Sequence, residues 1–404
     1  MTSSTSAESG RADAPARAPR IAVPAEVETP ALVIDLDIFE TNLDEMAEVM
    51  RAGGVQLMPH TKTHRTPALA MMQLARGAAG LTAATVDEVE ALVAAGAERI
   101  YMAYPLVGDS KIRRIVALPP TVRIAVSIDS LEGARAIGAR FAEQGREAEL
   151  YLMVDSGLRR AGVEPADAPA IASEIDRVEG VRLSGLMTHD GWVYGSEDDA
   201  ALVAQAHQAA KLMVDTAAAI TAVGPRIESV SLGSSGSARA LSGYPGVTEL
   251  RPGIYAFNDL SQVGIGLIDP SRCAARVEAT VISHPVPDRA CIDAGSKVLS
   301  RDLPPGKRSR ELYPGFGVLV GLPGWQIPIM SEEHGWLRWV GDGEPTPLPV
   351  GTRVQIIPNH ICTVFSSVGQ SVGVRNGEVV GIWPVLHRAT TPLARPLGAS
   401  ESTA

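Results

Sequence analysis

The 404-residue chain reads as an α/β protein, a (β/α)8 TIM-type barrel followed by a second, mostly β C-terminal domain. Three observations predict this. About eight short apolar runs alternate with segments of helical period over the first two-thirds of the chain. Helix start and stop signals fall between those runs. After about Val263 the pattern changes to short Val- and Ile-rich runs broken by Pro and Gly turns, with no long helical period. An open doubly wound sheet is the competing arrangement for the same alternation.

Taken in order, residues 1–26 are rich in Ser, Ala, Arg and Pro and lack the apolar core of a secretory signal, so they read as a disordered tail. A cleaved targeting peptide is the competing reading. The barrel is assigned to residues 27–262. A strand at Ala31–Ile34 precedes the first helix and can pair with the second domain. Asp37 and Glu40 have capping-box spacing, Phe39, Leu43, Met46 and Met50 form an apolar stripe, and Gly53-Gly54 ends that helix. Thr85 with Glu88 opens a second helix that stops at Gly96, and Asp129 with Glu132 opens a third. Barrel strands are placed at Val55–Met58, Leu81–Ala84, Arg99–Ala103, Val122–Ile128, Glu149–Val154, Arg182–Met187, Ser229–Ser231 and Glu249–Arg251. The β-rich domain covers residues 263–395, with runs at Ala274–Ser283, Ala290–Asp293, Arg353–Ile357 and Glu378–Trp383, and 396–404 is a second disordered tail.

Hydrophobic residues make up 45% of the chain and charged residues 20%, ordinary values for a soluble enzyme. A net charge of −10 argues against a nucleic acid or an anionic membrane as partner. No apolar run reaches the length of a bilayer span. Three cysteines, Cys273, Cys291 and Cys362, make no disulfide framework, so a cytoplasmic location is expected and one of them is free to act as a ligand.

Chemistry first shows in Met58-Pro59-His60-Thr61-Lys62-Thr63-His64, just after the first barrel strand. That position is the C-terminal rim of a barrel, where active sites are built. A lysine in an apolar mouth has its amine pKa depressed by desolvation and can serve as a Schiff-base nucleophile. A surface lysine on a loop fits this stretch as well. Near the C-terminus, His360-Ile361-Cys362 puts an imidazole and a thiol two residues apart. On a strand they share a face and can grip one zinc ion, leaving positions open for water and substrate. Standing alone, such a pair is a weak signal that chance and packing explain better.

Pro59-His60-Thr61-Lys62-Thr63-His64 resembles the lysine motif of the D-threonine aldolase and D-serine dehydratase family, alanine-racemase-like fold-type III enzymes of pyridoxal phosphate (PLP). Further stretches resemble that family in order: 29–35, Gly162-Val163 after Arg160, 185–191, Arg251-Pro252-Gly253-Ile254-Tyr255, 293–297, 331–335 and 358–362. Together they cover about residues 28 to 390.

The resemblance implies a Schiff base on Lys62, Arg160 near the ring or its phenolic oxygen, and His189 stacked on the pyridine face. Tyr194 would contact the ring or the phosphate, and Arg251 would meet the pyridine nitrogen. Gly233-Ser234-Ser235-Gly236-Ser237 and Gly253-Ile254 follow the seventh and eighth strands, where barrels often bind phosphate. A plain Gly/Ser loop is the alternative reading of the first. The resemblance makes His360 and Cys362 a zinc pair, with another divalent metal as the alternative, whereas aldolases tend to place aspartate at 362. His334 is read as a substrate-facing or a structural group. The implied activity is dehydration of a D-3-hydroxy amino acid, such as D-serine or D-threo-3-hydroxyaspartate, to a keto acid and ammonia. The rivals are a D-threonine aldolase, an amino-acid racemase and a non-catalytic PLP-binding protein. The family further implies a homodimer acting on a small D-amino acid.

Overall fold

The computed structural model describes residues 15–387. Eight parallel strands form one sheet: β2 (Gln56–Leu57), β3 (Leu81–Ala83), β4 (Arg99–Pro105), β5 (Arg123–Ile128), β6 (Ala148–Met153), β7 (Val181–Met187), β8 (Ser229–Leu232) and β9 (Glu249–Leu250). They follow one another around the sheet, except that β2 lies beside β9. The sheet closes where His60 bridges Thr82, with Ala79 N donating to Leu57 O (2.8 Å) and Thr82 N to Pro59 O (2.7 Å). All eight expected strands are present, so the closed barrel holds and the open sheet does not. No helix among the described residues is long and apolar enough to cross a membrane.

The helices lie where the periodicity puts them: α1 (Leu36–Ala52), α2 (Pro67–Ala75), α3 (Val86–Ala94), α4 (Asp109–Val116), α5 (Leu131–Ala142), α6 (Ala168–Ile175) and α7 (Asp199–Ala222). Phe39, Leu43, Met46 and Met50 of α1 are buried as one stripe. The cap of α1 is Asp35, two residues earlier than the expected Asp37, because the Asp35 carboxylate accepts from Asp37 N and Ile38 N. Thr85 caps α3 through Glu88 N, as expected. Ser130, not Asp129, caps α5 by accepting from Gly133 N.

The second domain is a nine-stranded sheet. In chain order its strands are β1 (Ala31–Asp35), β10 (Ala275–Val286), β11 (Arg289–Ile292), β12 (Val318–Leu319), β13 (Trp325–Met330), β14 (Gly335–Trp339), β15 (Arg353–Ile357), β16 (Gln370–Arg375) and β17 (Glu378–Pro384). β1 pairs antiparallel with β10 and parallel with β16, so the chain starts in this domain, enters the barrel and returns.

Residues 15–26 correct the expectation of a tail reaching residue 26. Ala18 and Ile21 are buried, and Ile21 exchanges hydrogen bonds with the Gln355 side chain (2.8 and 2.6 Å). The buried Arg276 guanidinium donates to Pro19 O. The segment stays because it satisfies buried polar groups of the β domain. The rest of the N-terminal tail and the tail at 396–404 lie outside the described residues.

Candidate active site

A cavity of about 580 Å³ opens at the C-terminal end of the barrel, between it and the β domain. Its wall carries Lys62, Arg65, Arg160 and Arg251, together with His60, His189 and His360, and no aspartate or glutamate among the described residues. Such a wall suits an anionic ligand.

Lys62 sits in a 3-10 turn, Thr61–Thr63, directly after β2. His60 caps the turn by accepting from Lys62 N, and Thr61 Oγ1 donates to Thr82 O (3.0 Å). Burial lowers the amine pKa, helped by Arg160 and Arg251, while Cys362 and Glu88 oppose the shift. Behind the turn, Glu88 accepts from Ala84 N (2.8 Å) and pairs with Arg65 Nε (3.2 Å). Burial and the nearby Lys62 and Arg251 hold His60 well below the ordinary imidazole range. His189, two residues beyond β7, is held down to about 3 by burial and then by Lys62, Arg160 and Arg251. Both rings are neutral at pH 7.

Arg251 lies on the floor of the cavity. Its Nη1 donates to Ser231 Oγ (2.5 Å), its Nη2 donates to Thr188 O, and its guanidinium lies 5.5 Å from the Tyr101 ring centre. Arg160 belongs to the loop between β6 and α6, and its exposed side chain joins the wall.

Ser235, Gly236, Gly253, Ile254 and Tyr194 meet at one edge. Ser235 Oγ accepts from Gly253 N and Tyr255 N (3.1 Å each), tying together the loops after β8 and β9. Gly236 N donates to Tyr194 Oη (3.0 Å), and Gln262 Nε2 donates to the same oxygen (3.3 Å). The Tyr194 hydroxyl therefore accepts twice. Ile254 opens a 3-10 turn, so its N–H has no partner within that turn. A Cβ on Gly253 would lie 2.5 Å from Thr63 Oγ1, so only glycine lets this strand end approach the Lys62 turn. These loops and Lys62 line the same cavity, so a phosphate ester held here would share it with the lysine amine.

His360 and Cys362 face the cavity from the β-domain side. They are not on a strand, which corrects the expected geometry. His360 is the extended residue before a short helix, Ile361–Ser367, and Cys362 lies in the first turn of that helix. A change from extended to helical backbone, not strand alternation, turns the thiol and the imidazole to the same cavity. Burial works against a charged His360, but Cys362, Asp259 and Asp302 hold its pKa up to about 10. Cys362 Sγ lies 3.5 Å from Thr63 Oγ1, beside the lysine turn. The described residues contain no group of three His, Cys, Asp or Glu arranged to hold a metal. The pair is thus a two-ligand set with room for water and substrate, and its nitrogen-plus-sulfur donors fit zinc.

Of the eleven sequence-predicted site residues, ten line this cavity and Gly236 donates to Tyr194 at its edge, while Asp259, Asp302, Glu88 and His60 were not singled out as site residues. His60 stood inside the lysine motif, and the other three carry no local signal. His334 is exposed at the turn between β13 and β14 and is not part of this wall.

Residues 34–260 match the alanine racemase N-terminal domain, and residues 274–374 match a putative serine dehydratase domain. D-threo-3-hydroxyaspartate dehydratase of Delftia sp. is 34% identical over 374 residues, spanning 89% of this chain and 98% of that one. The chain belongs to the D-serine dehydratase and D-threonine aldolase family of fold-type III PLP enzymes. The D-threonine aldolase of Arthrobacter sp. is 31% identical, with 90% and 93% covered, and the D-serine dehydratase of Dictyostelium discoideum is 25% identical, with 83% and 90% covered. The Delftia structure superposes with a TM-score of 0.83 at 33% identity, covering 90% of this chain and 98% of that one. Two further structures of that enzyme replace with alanine a cysteine in one and, in the other, the histidine two positions before it; the cysteine variant is described as the metal-free form. This family member carries the same residue pair at the same spacing in His360 and Cys362.

Proposed function

We propose that this chain is a PLP-dependent lyase that uses a divalent cation, zinc by the softness of its thiolate ligand, to eliminate water from a D-3-hydroxy amino acid. The products are a keto acid and ammonia. The observation that carries this reading is the approach of the His360–Cys362 pair to the Lys62 turn, at 3.5 Å from Cys362 to Thr63. A cation there would stand beside the turn whose lysine would hold the cofactor.

PLP, when bound, supplies the electron sink for negative charge at Cα. Lys62 would hold it, His189 would cover its face, and Arg160 would meet its phenolic oxygen. Arg251 would meet the ring nitrogen and, being a permanent cation, keep that nitrogen unprotonated. Tyr194, Ser235, Gly236, Gly253 and Ile254 would receive the phosphate. Lys62 Nζ, its pKa lowered by burial, is suited to take the Cα proton. His360 and Cys362 would hold a cation whose Lewis acidity makes the β-hydroxyl a better leaving group. The proton from Cα and the hydroxide from Cβ leave as water, and the resulting enamine hydrolyses to the keto acid and ammonia.

Retro-aldol cleavage is the second reading, favoured by the Arthrobacter relative. One experiment separates the two. The PLP-loaded protein is incubated with D-serine, D-threo-3-hydroxyaspartate and D-threonine, before and after EDTA, and scored for keto acid, aldehyde and inverted enantiomer. The expected result is keto acid, reduced by about tenfold or more after verified metal removal and restored by Zn²⁺. Full activity without metal refutes the cation's role. Acetaldehyde without keto acid makes the protein an aldolase, the inverted enantiomer alone makes it a racemase, and tight PLP binding with no turnover makes it a binding protein.

A further inference from the structure

We propose that Asp302 is the positioning residue that presents His360 to the cation, holding the imidazole with its proton on Nδ1 and leaving Nε2 free to coordinate. The inference rests on the metal-site reading above. Asp302 Oδ2 lies 2.8 Å from His360 Nδ1. A ring nitrogen committed to a carboxylate fixes the tautomer, the ring angle and the basicity of the other nitrogen.

Asp302 is itself held in place. Its N–H donates to Ser300 Oγ (3.0 Å), and Ser300 sits in the left-handed region at φ 66°. Its carbonyl accepts from Asn359 Nδ2 (3.0 Å), the side chain next to His360, which also donates to Gly315 O (2.8 Å). The segment then continues into Leu303 and Pro305, which form part of the cavity wall. The carboxylate is therefore delivered to His360 by backbone contacts on both sides and not by a free side chain.

A second carboxylate has a different task. Asp259 is fully buried and accepts from Ile361 N (2.9 Å), the amide between the two ligands, as well as from Ser261 N (2.9 Å). It fixes the backbone that carries the pair to the barrel. Asp302 holds the ring at Nδ1. The side chain of Asp302 is 44% exposed, and an ordinary ion pair that exposed is worth little to stability. An effect of Asp302 on metal affinity is therefore separable from an effect on folding.

The test uses the full PLP-loaded chain. Zn²⁺ affinity is measured by competition with a chromophoric chelator, and Co²⁺ replaces Zn²⁺ for visible spectroscopy. Asp302→Ala is expected to weaken Zn²⁺ binding roughly 10- to 100-fold and to alter the Co²⁺ spectrum. The unfolding midpoint of the metal-free protein and its PLP absorbance should stay unchanged. Asp302→Asn, which keeps an acceptor oxygen but no charge, is expected between the two. It also keeps the test open should the alanine variant fail to fold. Wild-type Zn²⁺ affinity in these variants, alongside its loss in His360→Ala, overturns the inference and leaves the metal site standing. Undiminished Zn²⁺ affinity in both His360→Ala and Cys362→Ala overturns the site and the inference together.

Discussion

At the N-terminal end of the barrel, Arg99, Arg123, Glu149, Arg182 and Glu249 each occupy the first or second position of a strand, and they pair with one another. Glu149 accepts from Arg123 (2.6 and 2.8 Å) and from Ser184 (2.8 Å), with Arg182 at 3.3 Å. Glu249 takes Arg99 (2.5 Å) and Tyr151 Oη (3.1 Å). At the C-terminal end the cations Lys62, Arg160 and Arg251 share a wall with no carboxylate among the described residues. Burial opposes charge at both ends. At the floor, hydrogen bonds from Arg123 and Ser184 overcome it and hold the Glu149 pKa below its ordinary range. At the mouth the partial compensation from Cys362 and Glu88 does not overcome it, so the Lys62 pKa is lowered and His60 and His189 stay uncharged. One end of the strands spends its charge on the fold, and the other leaves compensation to an anionic ligand.

Four measurements test that contrast. The largest expected effect is at the mouth. Lys62→Ala should cut keto-acid formation by about 10³-fold or more while leaving the thermal midpoint of the cofactor-free protein intact. Borohydride reduction of the wild type, followed by peptide mapping, should place the pyridoxyl tag on Lys62, and a tag on another lysine would sink the whole reading. At the floor the pattern should invert. Glu249→Ala removes the carboxylate that pairs with Arg99 and Tyr151 and should cost about 3 kcal/mol in denaturant unfolding, with kcat within about twofold of wild type. A large loss of kcat with normal stability there would erase the distinction between the two ends.

The smallest effect concerns a histidine behind the mouth. His64 is buried, accepts from Thr66 N (3.0 Å), pairs with Gln73 (3.3 Å) and packs against Phe257 and Phe365. Burial lowers its pKa from 6.5 to about 4. Between those values the unfolded chain binds more protons, so stability from this group is complete above pH 6.5 and is lost as pH falls toward 4. Between about pH 7 and pH 5.5 the wild type should lose on the order of 1 kcal/mol through His64. His64→Gln should flatten that part of the pH dependence in urea unfolding, and an unchanged slope would show that His64 does not titrate on unfolding.

The barrel strands were legible because each is a short apolar run between helical periods, a pattern local to a few residues. Lys62 was legible because its motif is contiguous. The segment at 15–26 was not, since Ala, Pro and Arg carry no periodicity and its value lies in reaching Gln355 and Arg276 far along the chain. The pair at 360 and 362 was legible in identity but not in conformation. Spacing by two suits a strand, and nothing in three residues announces that a helix starts at Ile361. Asp302 was invisible for a similar reason, since its bond to His360 spans 58 positions.

Read alone, the sequence established the alternation of strands and helices and the two-domain division and pointed to Lys62 as the candidate reactive lysine, because each depends on neighbours within a turn or two of the chain. Only the tertiary structure decided which charges are paired and which stand open, and that the imidazole and thiol from the β domain come to rest against the lysine turn of the barrel. Electrostatic compensation depends on distance in space, and residues far apart along a chain acquire that distance only when it folds.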